Sequence, residues 1–165
     1  MAADVEKLPF TPNPTEYTFK ASVETVAEAV SLIPKKSTRF ADFFVANLPT
    51  TDGAKKILSL AKALGKVNSH DVYYYRSKPA DYLALFDISL YETPAGSTRV
   101  TISTIGPRIS VPGHGFNLHS FRFDQDRSIP VQPTTVEEYE ILLLIGAIVG
   151  EKGMPPLSVP EDQKR

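Results

Sequence analysis

The chain has 165 residues, with 18 Lys and Arg against 19 Asp and Glu, a formal net charge of −1, 42% hydrophobic residues and no cysteine. A chain of this length buries roughly 70% of its unfolded surface, enough for one well-formed core, and its composition is globular rather than disordered. The lack of cysteine excludes disulfides, thiol nucleophiles and thiolate metal sites, and near-neutral charge argues against a bulk electrostatic nucleic-acid binder.

The start, Met1-Ala2-Ala3-Asp4-Val5-Glu6-Lys7, lacks the basic end and apolar run of a signal peptide. The longest apolar run, Ile141 to Val149, is nine residues, against the about 20 that a membrane span requires. These features predict a cytoplasmic protein without a membrane span. Residues 1–14, with Pro9, Pro12 and Pro14, also resemble the extended leader that follows a removed export signal, and in that case the protein is exported. The expected organisation is an extended segment at 1–14, one domain at 15–152 and an extended tail at 153–165.

In chain order, Thr15–Ala21 alternates Tyr17 and Phe19 with polar neighbours, the period of a half-buried strand. Ser22 then caps a helix with Val23, Val26, Ala27 and Val30 on one stripe, and Pro34 is expected to end it. A second helix is expected at Thr38–Leu48, with Phe40, Phe43, Phe44 and Leu48 on one side. A third is expected at 51–64, burying Ala54, Ile57, Leu58, Ala61 and Leu64 and turning Lys55, Lys56, Ser59 and Lys62 outward.

From residue 70 the period changes to two. Asp71–Arg76 carries Tyr73, Tyr74 and Tyr75, and Tyr82–Tyr91 places Tyr82, Ala84, Phe86, Ile88 and Leu90 on one face. Thr93-Pro94-Ala95-Gly96 is turn chemistry, so Thr98–Ile105 is the partner strand, with Val100 and Ile102 on the same face. A loop at Gly106–Gly115 and a strand at Phe116–Phe123 follow. The last element is a helix from Val136 to about Val149, introduced by Thr135 and Glu138 as a capping box. Its second half is apolar nearly all round and is therefore expected to be buried on several sides. With no βαβ alternation, the pattern predicts one α+β domain: a mostly antiparallel sheet of four to six strands, helices on one face, and a buried C-terminal helix.

The strand that feeds the helix segment Phe19-Lys20-Ala21-Ser22-x-Glu24-x-Val26-x-Glu28-Ala29, with the apolar helix closing the chain, resembles the helix-grip domains of the START and Bet v 1 kind. The resemblance spans about 130 residues and rests on element order. It departs from that family in showing about five strands where the family has seven, and in the added helix at 51–64. It implies a cavity for an apolar ligand beneath the last helix.

Templates for catalysis find no match. There is no Gly-x-Ser-x-Gly, no phosphate-binding glycine loop and no His-Glu-x-x-His. His114 and His119 have opposite strand parity, yet with Asp124 they are the candidates for an acid–base pair. Residues 35–66 hold seven basic and two acidic side chains, and Lys55, Lys56 and Lys62 form the candidate face for an acidic partner. Exposed lysines without interleaved aromatics do not suit base stacking, so no nucleic-acid partner is expected.

The expected function is therefore binding without catalysis, with neither cofactor nor metal. The first reading is an apolar small molecule held between the sheet and the C-terminal helix by Tyr74, Tyr82, Phe86, His119 and Phe121. The alternative is a protein-interaction module, an inhibitor or immunity-type partner, that engages another protein through Tyr73, Tyr75, Lys55, Lys56 and Lys62. The second alternative is an enzyme using His114 and His119. The apolar last helix also leaves a homodimer open.

Overall fold

A computed structural model describes residues 4–36, 45–48, 54–61, 70–113, 115–119, 121–124 and 126–161. The elements, in chain order, are β1 (Val5–Lys7), β2 (Glu16–Phe19), α1 (Val23–Lys36), β3 (Val45–Leu48), β4 (Ala54–Ala61), β5 (Tyr73–Tyr75) and β6 (Lys78–Pro79). They continue with β7 (Asp81–Glu92), β8 (Thr98–Val111), β9 (Gly115–Asn117), β10 (Arg122–Asp124), β11 (Arg127–Pro130) and α2 (Val136–Val149).

The main sheet is antiparallel and runs β11-β8-β7-β4-β3. Its backbone is the β7–β8 hairpin, turned at Thr93–Gly96, where Gly96 takes φ +79° and donates to Thr93 O at 3.0 Å. Strand β8 is long enough to serve three partners. One edge pairs with β7, while β2 pairs at residues 98–101 and β11 at 108–111. The six-stranded sheet with both described helices on one face is the α+β architecture that the hydrophobic pattern predicts.

That pattern also predicts the face. Tyr82, Ala84, Phe86, Ile88 and Leu90 alternate inward from β7, Val100 and Ile102 join them from β8, and all are at most 4% exposed. Helix α1 contributes Val23, Val26, Ala27, Val30 and Ile33, and α2 contributes Val136, Tyr139, Ile141, Leu142 and Ile145. These side chains make one core between sheet and helices. Gly146 of α2 leaves room for Met154 and Phe19, since a Cβ there would collide with Met154 Sδ.

Several expectations need correction. The helices expected at 38–48 and 51–64 are absent where the structure is described. Val45–Leu48 and Ala54–Ala61 are strands paired from Val45↔Leu60 to Leu48↔Ile57, and β4 also pairs with β7, including Leu58↔Ile88. Helical spacing of Ala54, Ile57, Leu58 and Ala61 is a weak local preference. A short apolar run such as Ile57-Leu58-Ser59-Leu60-Ala61 reads as a strand equally well by period, and the ladders on both sides decide it. The basic helical face of Lys55, Lys56 and Lys62 therefore does not form as expected, and Lys62 lies outside the described residues.

Pro34 does not stop α1, which runs to Lys36. A proline so near the end removes one donor without disturbing the turns before it. At the other end Ser22 caps as expected, accepting from Thr25 N–H at 3.3 Å. The region 106–115 is not simply a loop, because β8 continues to Val111 across a bulge. Leu83↔Arg108 and Leu85↔Ile105 leave Gly106 and Pro107 together opposite Ala84, with Gly106 at φ +58°. The strand expected at 116–123 is instead a small hairpin, β9 with β10, and Phe121, just before β10, takes φ +53°.

The cap of α2 also differs. Thr135 has φ +70° and makes no side-chain cap. Thr134 Oγ1 accepts from Val136 N–H at 3.0 Å instead, and Thr135 Oγ1 accepts from Asn13 N–H at 2.9 Å. Both chain ends are laid against this point. Asn13 Nδ2 donates to Ser158 O at 2.8 Å, and Asn13 Oδ1 accepts from Ser158 N–H at 2.7 Å.

Candidate functional site

Strand β5 turns into β6 through two residues, Arg76 and Ser77, because Tyr75 is paired with Lys78. Both turn residues have positive φ, +50° and +65°. A two-residue hairpin needs that geometry to match strand twist, and Asn-Gly normally supplies it. Placing Arg and Ser there costs of order 1 kcal/mol or more each, so surrounding contacts must hold the turn. They include Arg76 N–H to Asp4 O at 3.0 Å, Arg76 Nε to Asp4 Oδ2 at 3.7 Å, and the pairing of β1 with β5.

Beside this turn lies a cavity of about 300 Å³, walled by Tyr75, Arg76, Lys78, Pro79, Ala80, Ser110, Val111 and Pro112. The hairpin supplies one wall and the extended end of β8 the other. Arg127, register partner of Val111, closes toward the same place. Its Nη2 donates to Tyr75 Oη at 2.7 Å and its guanidinium lies 5.7 Å from the Tyr75 ring centroid. The Arg76 guanidinium lies 5.0 Å from the same centroid. Both distances are within cation–π range. The loop after Pro112 is fixed by Gly113 N–H donating to Asp126 Oδ1 at 2.7 Å. The cavity thus joins apolar walls of Pro79, Ala80, Val111 and Pro112 to Arg76 and Lys78, with Arg127 held against the lining Tyr75. It is at the small end of ligand-pocket volumes, with few polar groups on mostly apolar walls.

A second polar constellation lies inside, under the first turn of α2. Glu137 and Glu138 are each 1% exposed. Thr134 Oγ1 donates to Glu137 Oε2, and Thr104 Oγ1 of β8 donates to Glu138 Oε1 at 2.6 Å. Burial pushes the Glu138 carboxyl up to about 7, with neighbouring Glu137 adding to the rise and the Thr104 hydrogen bond opposing it. Tyr73 and Tyr82 stack beside this pair, with ring centroids 5.9 Å apart at 18°. Tyr73 Oη donates to Gln132 O, and burial pushes its phenol up to about 12. Burial raises the Tyr82 phenol as well. Among the described residues, Glu138 Oε2 has no hydrogen-bond partner.

The structure separates the residues grouped by sequence. Tyr82 and Phe86, at 0% and 1% exposure, are core. They fill the space under the helices together with Phe19 and Tyr139. Tyr73 is buried with them, while Tyr74 is half-buried on the opposite side of β5. Among the described candidate residues, Tyr75 is the one that lines the cavity. His119 is exposed, and Phe121 stands 79% exposed on the β9–β10 turn. His114 lies outside the described residues, and Asp124 is the last residue of β10. Among the described residues, no group of three or more His, Asp or Glu side chains is placed to hold a metal ion, and no helix is long and apolar enough to cross a membrane.

Sequence reasoning missed Arg76, Lys78, Ser110, Pro112 and Arg127. The signal available was the basic turn Arg76-Ser77-Lys78-Pro79 between two apolar strands. It missed the burial of Glu137 and Glu138 as well, although carboxylates set directly before an apolar run in one helix hint at it. No known family model matches the chain, and no curated protein matches it in sequence. The geometry of the cavity is therefore the basis for a functional reading.

Proposed function

We propose that this domain binds a small, largely apolar molecule carrying one anionic group, held in the cavity between the β5–β6 hairpin and the end of β8. The observation that carries this reading is the Tyr75 ring with the Arg76 and Arg127 guanidiniums beside it at the mouth of an apolar recess. Pro79, Ala80, Val111 and Pro112 suit a hydrocarbon or aromatic body, and Arg76 and Lys78 suit a carboxylate or sulfonate head. The strained Arg76–Ser77 turn fits a functional site, because it holds Arg76 on the rim rather than relaxing.

The helix-grip resemblance belongs to this proposal, supported by a strand feeding α1 and an apolar helix closing the chain over an antiparallel sheet. The binding place differs from the one that resemblance implies, since large side chains occupy the space beneath α2. A second reading, a protein-interaction module, is supported by Leu118 and Phe121, which are 73% and 79% exposed on one hairpin turn.

Titration calorimetry with 1-naphthoate and its neutral counterpart 1-naphthamide tests the first reading. Saturable one-to-one binding of the anion, at least tenfold tighter than the amide and weakened by Lys78→Glu, is expected. Equal affinity for both probes, or no binding of either, contradicts it.

A further inference from the structure

The cluster under α2 has no role in the cavity reading, and its construction is unusual. Glu138 projects from the first turn of a helix that is apolar from Ile141 onward, and it is 1% exposed. The groups facing it come from four places. Thr104 of β8 donates to one carboxyl oxygen at 2.6 Å, Tyr82 of β7 and Tyr73 of β5 present phenols, and Glu137 presents the neighbouring carboxyl. The backbone N–H groups of Thr135 and of Glu138 itself complete the surroundings. Among the described residues these groups include no cation, and the second oxygen, Oε2, has no hydrogen-bond partner.

A carboxyl that is 1% exposed and lies beside a second buried carboxyl is costly to ionise, because burial and the like charge both penalise the carboxylate. As a carboxylate it would sit against Glu137 with only backbone amides and Thr104 to stabilise it. The first turn of α2 also carries structure beyond the helix. Gln132 O, just before it, accepts from Tyr73 Oη, and Thr135 Oγ1 accepts from Asn13 N–H, which ties in both chain ends. We propose that Glu138 is a proton-operated switch: protonated, it lets the first turn of α2 stay packed on the sheet, and ionised, its buried charge beside Glu137 releases that turn and the 131–135 segment. The inference is independent of any ligand.

Native-state hydrogen exchange of the full chain from pH 5.5 to 8.5, corrected for intrinsic rates, tests it. Protection of amides 136–142 is expected to fall at least tenfold through a midpoint near pH 7, while the β7–β8 ladder changes less. Glu138→Gln, which keeps the shape without the charge, is expected to hold protection constant. Thr104→Val is expected to move the midpoint upward, because it removes a hydrogen bond that favours the carboxylate, and it serves if Glu138→Gln does not fold. The contact of His70 Nε2 with Glu140 Oε1 of α2, at 3.1 Å, is isolated by His70→Gln, which is expected to leave the midpoint in place. A pH-independent wild type, an unchanged midpoint in Thr104→Val, or a response abolished by His70→Gln overturns the switch.

Discussion

Arg127 Nη2 donates to Tyr75 Oη at 2.7 Å, joining the last strand of the six-stranded sheet to the small β1-β5-β6 sheet across the mouth of the cavity. Arg127 is exposed, so the bond adds little to stability, but it holds the Tyr75 ring at the rim. Arg127→Ala is expected to weaken 1-naphthoate binding about five- to thirtyfold, a loss of roughly 1–2 kcal/mol from cation–π and hydrogen-bond contacts. Its urea unfolding midpoint is expected to stay close to wild type, as calorimetry and urea denaturation together will show.

The Arg76–Ser77 turn makes a separate expectation. Ser77 has φ +65°, a conformation that glycine adopts without a Cβ penalty. Ser77→Gly is expected to stabilise the protein by about 0.5–1 kcal/mol in urea denaturation while leaving Arg76 on the rim. A destabilised variant would show that the turn is not strained.

The two phenylalanines proposed as ligand contacts by sequence behave oppositely. Phe86 is 1% exposed and Phe121 is 79% exposed. Phe86→Ala is expected to cost roughly 3–5 kcal/mol through the cavity that it leaves. Phe121→Ser is expected to change stability by no more than about 0.5 kcal/mol, with 1-naphthoate affinity unaltered.

Glu138 makes overall stability depend on pH in a definite direction. The unfolded chain releases this proton near pH 4.5, whereas the folded chain holds it to about pH 7. Between those values the folded state binds more protons, so stability falls as pH rises through the window and is fully present below it. The shift corresponds to roughly 3 kcal/mol lost by pH 8. Glu138→Gln is therefore expected to be more stable than wild type at pH 8 and close to it at pH 4.5, measured by urea denaturation. Equal destabilisation at both values would assign Glu138 a purely packing role.

Much of the architecture was legible because it is written as alternation. Tyr82 through Leu90 and Val100 with Ile102 declare one buried face, and Gly96 declares the turn between their strands. Residues 54–61 misled because Ala, Leu and Lys favour helix locally, while the two ladders flanking β4 come from residues distant in sequence. Gly106 and Pro107 misled in the other direction, since the same residue types serve loops and bulges. The cavity was illegible for a related reason. Its walls, Tyr75 to Ala80 and Ser110 to Pro112, meet only because β8 continues past the bulge. The tyrosine run did draw attention to β5, but a count of aromatics cannot separate Tyr73, stacked in the core, from Tyr75 at the rim.

The most direct measurement is a two-dimensional nitrogen–proton NMR titration of the full chain with 1-naphthoate. The account expects saturable shifts concentrated on the amides of residues 75–80 and 110–113, with little change at Phe86 or Ile88. Saturable shifts centred on Phe86, Ile88 and the inner face of α2, with the cavity amides unmoved, would contradict it.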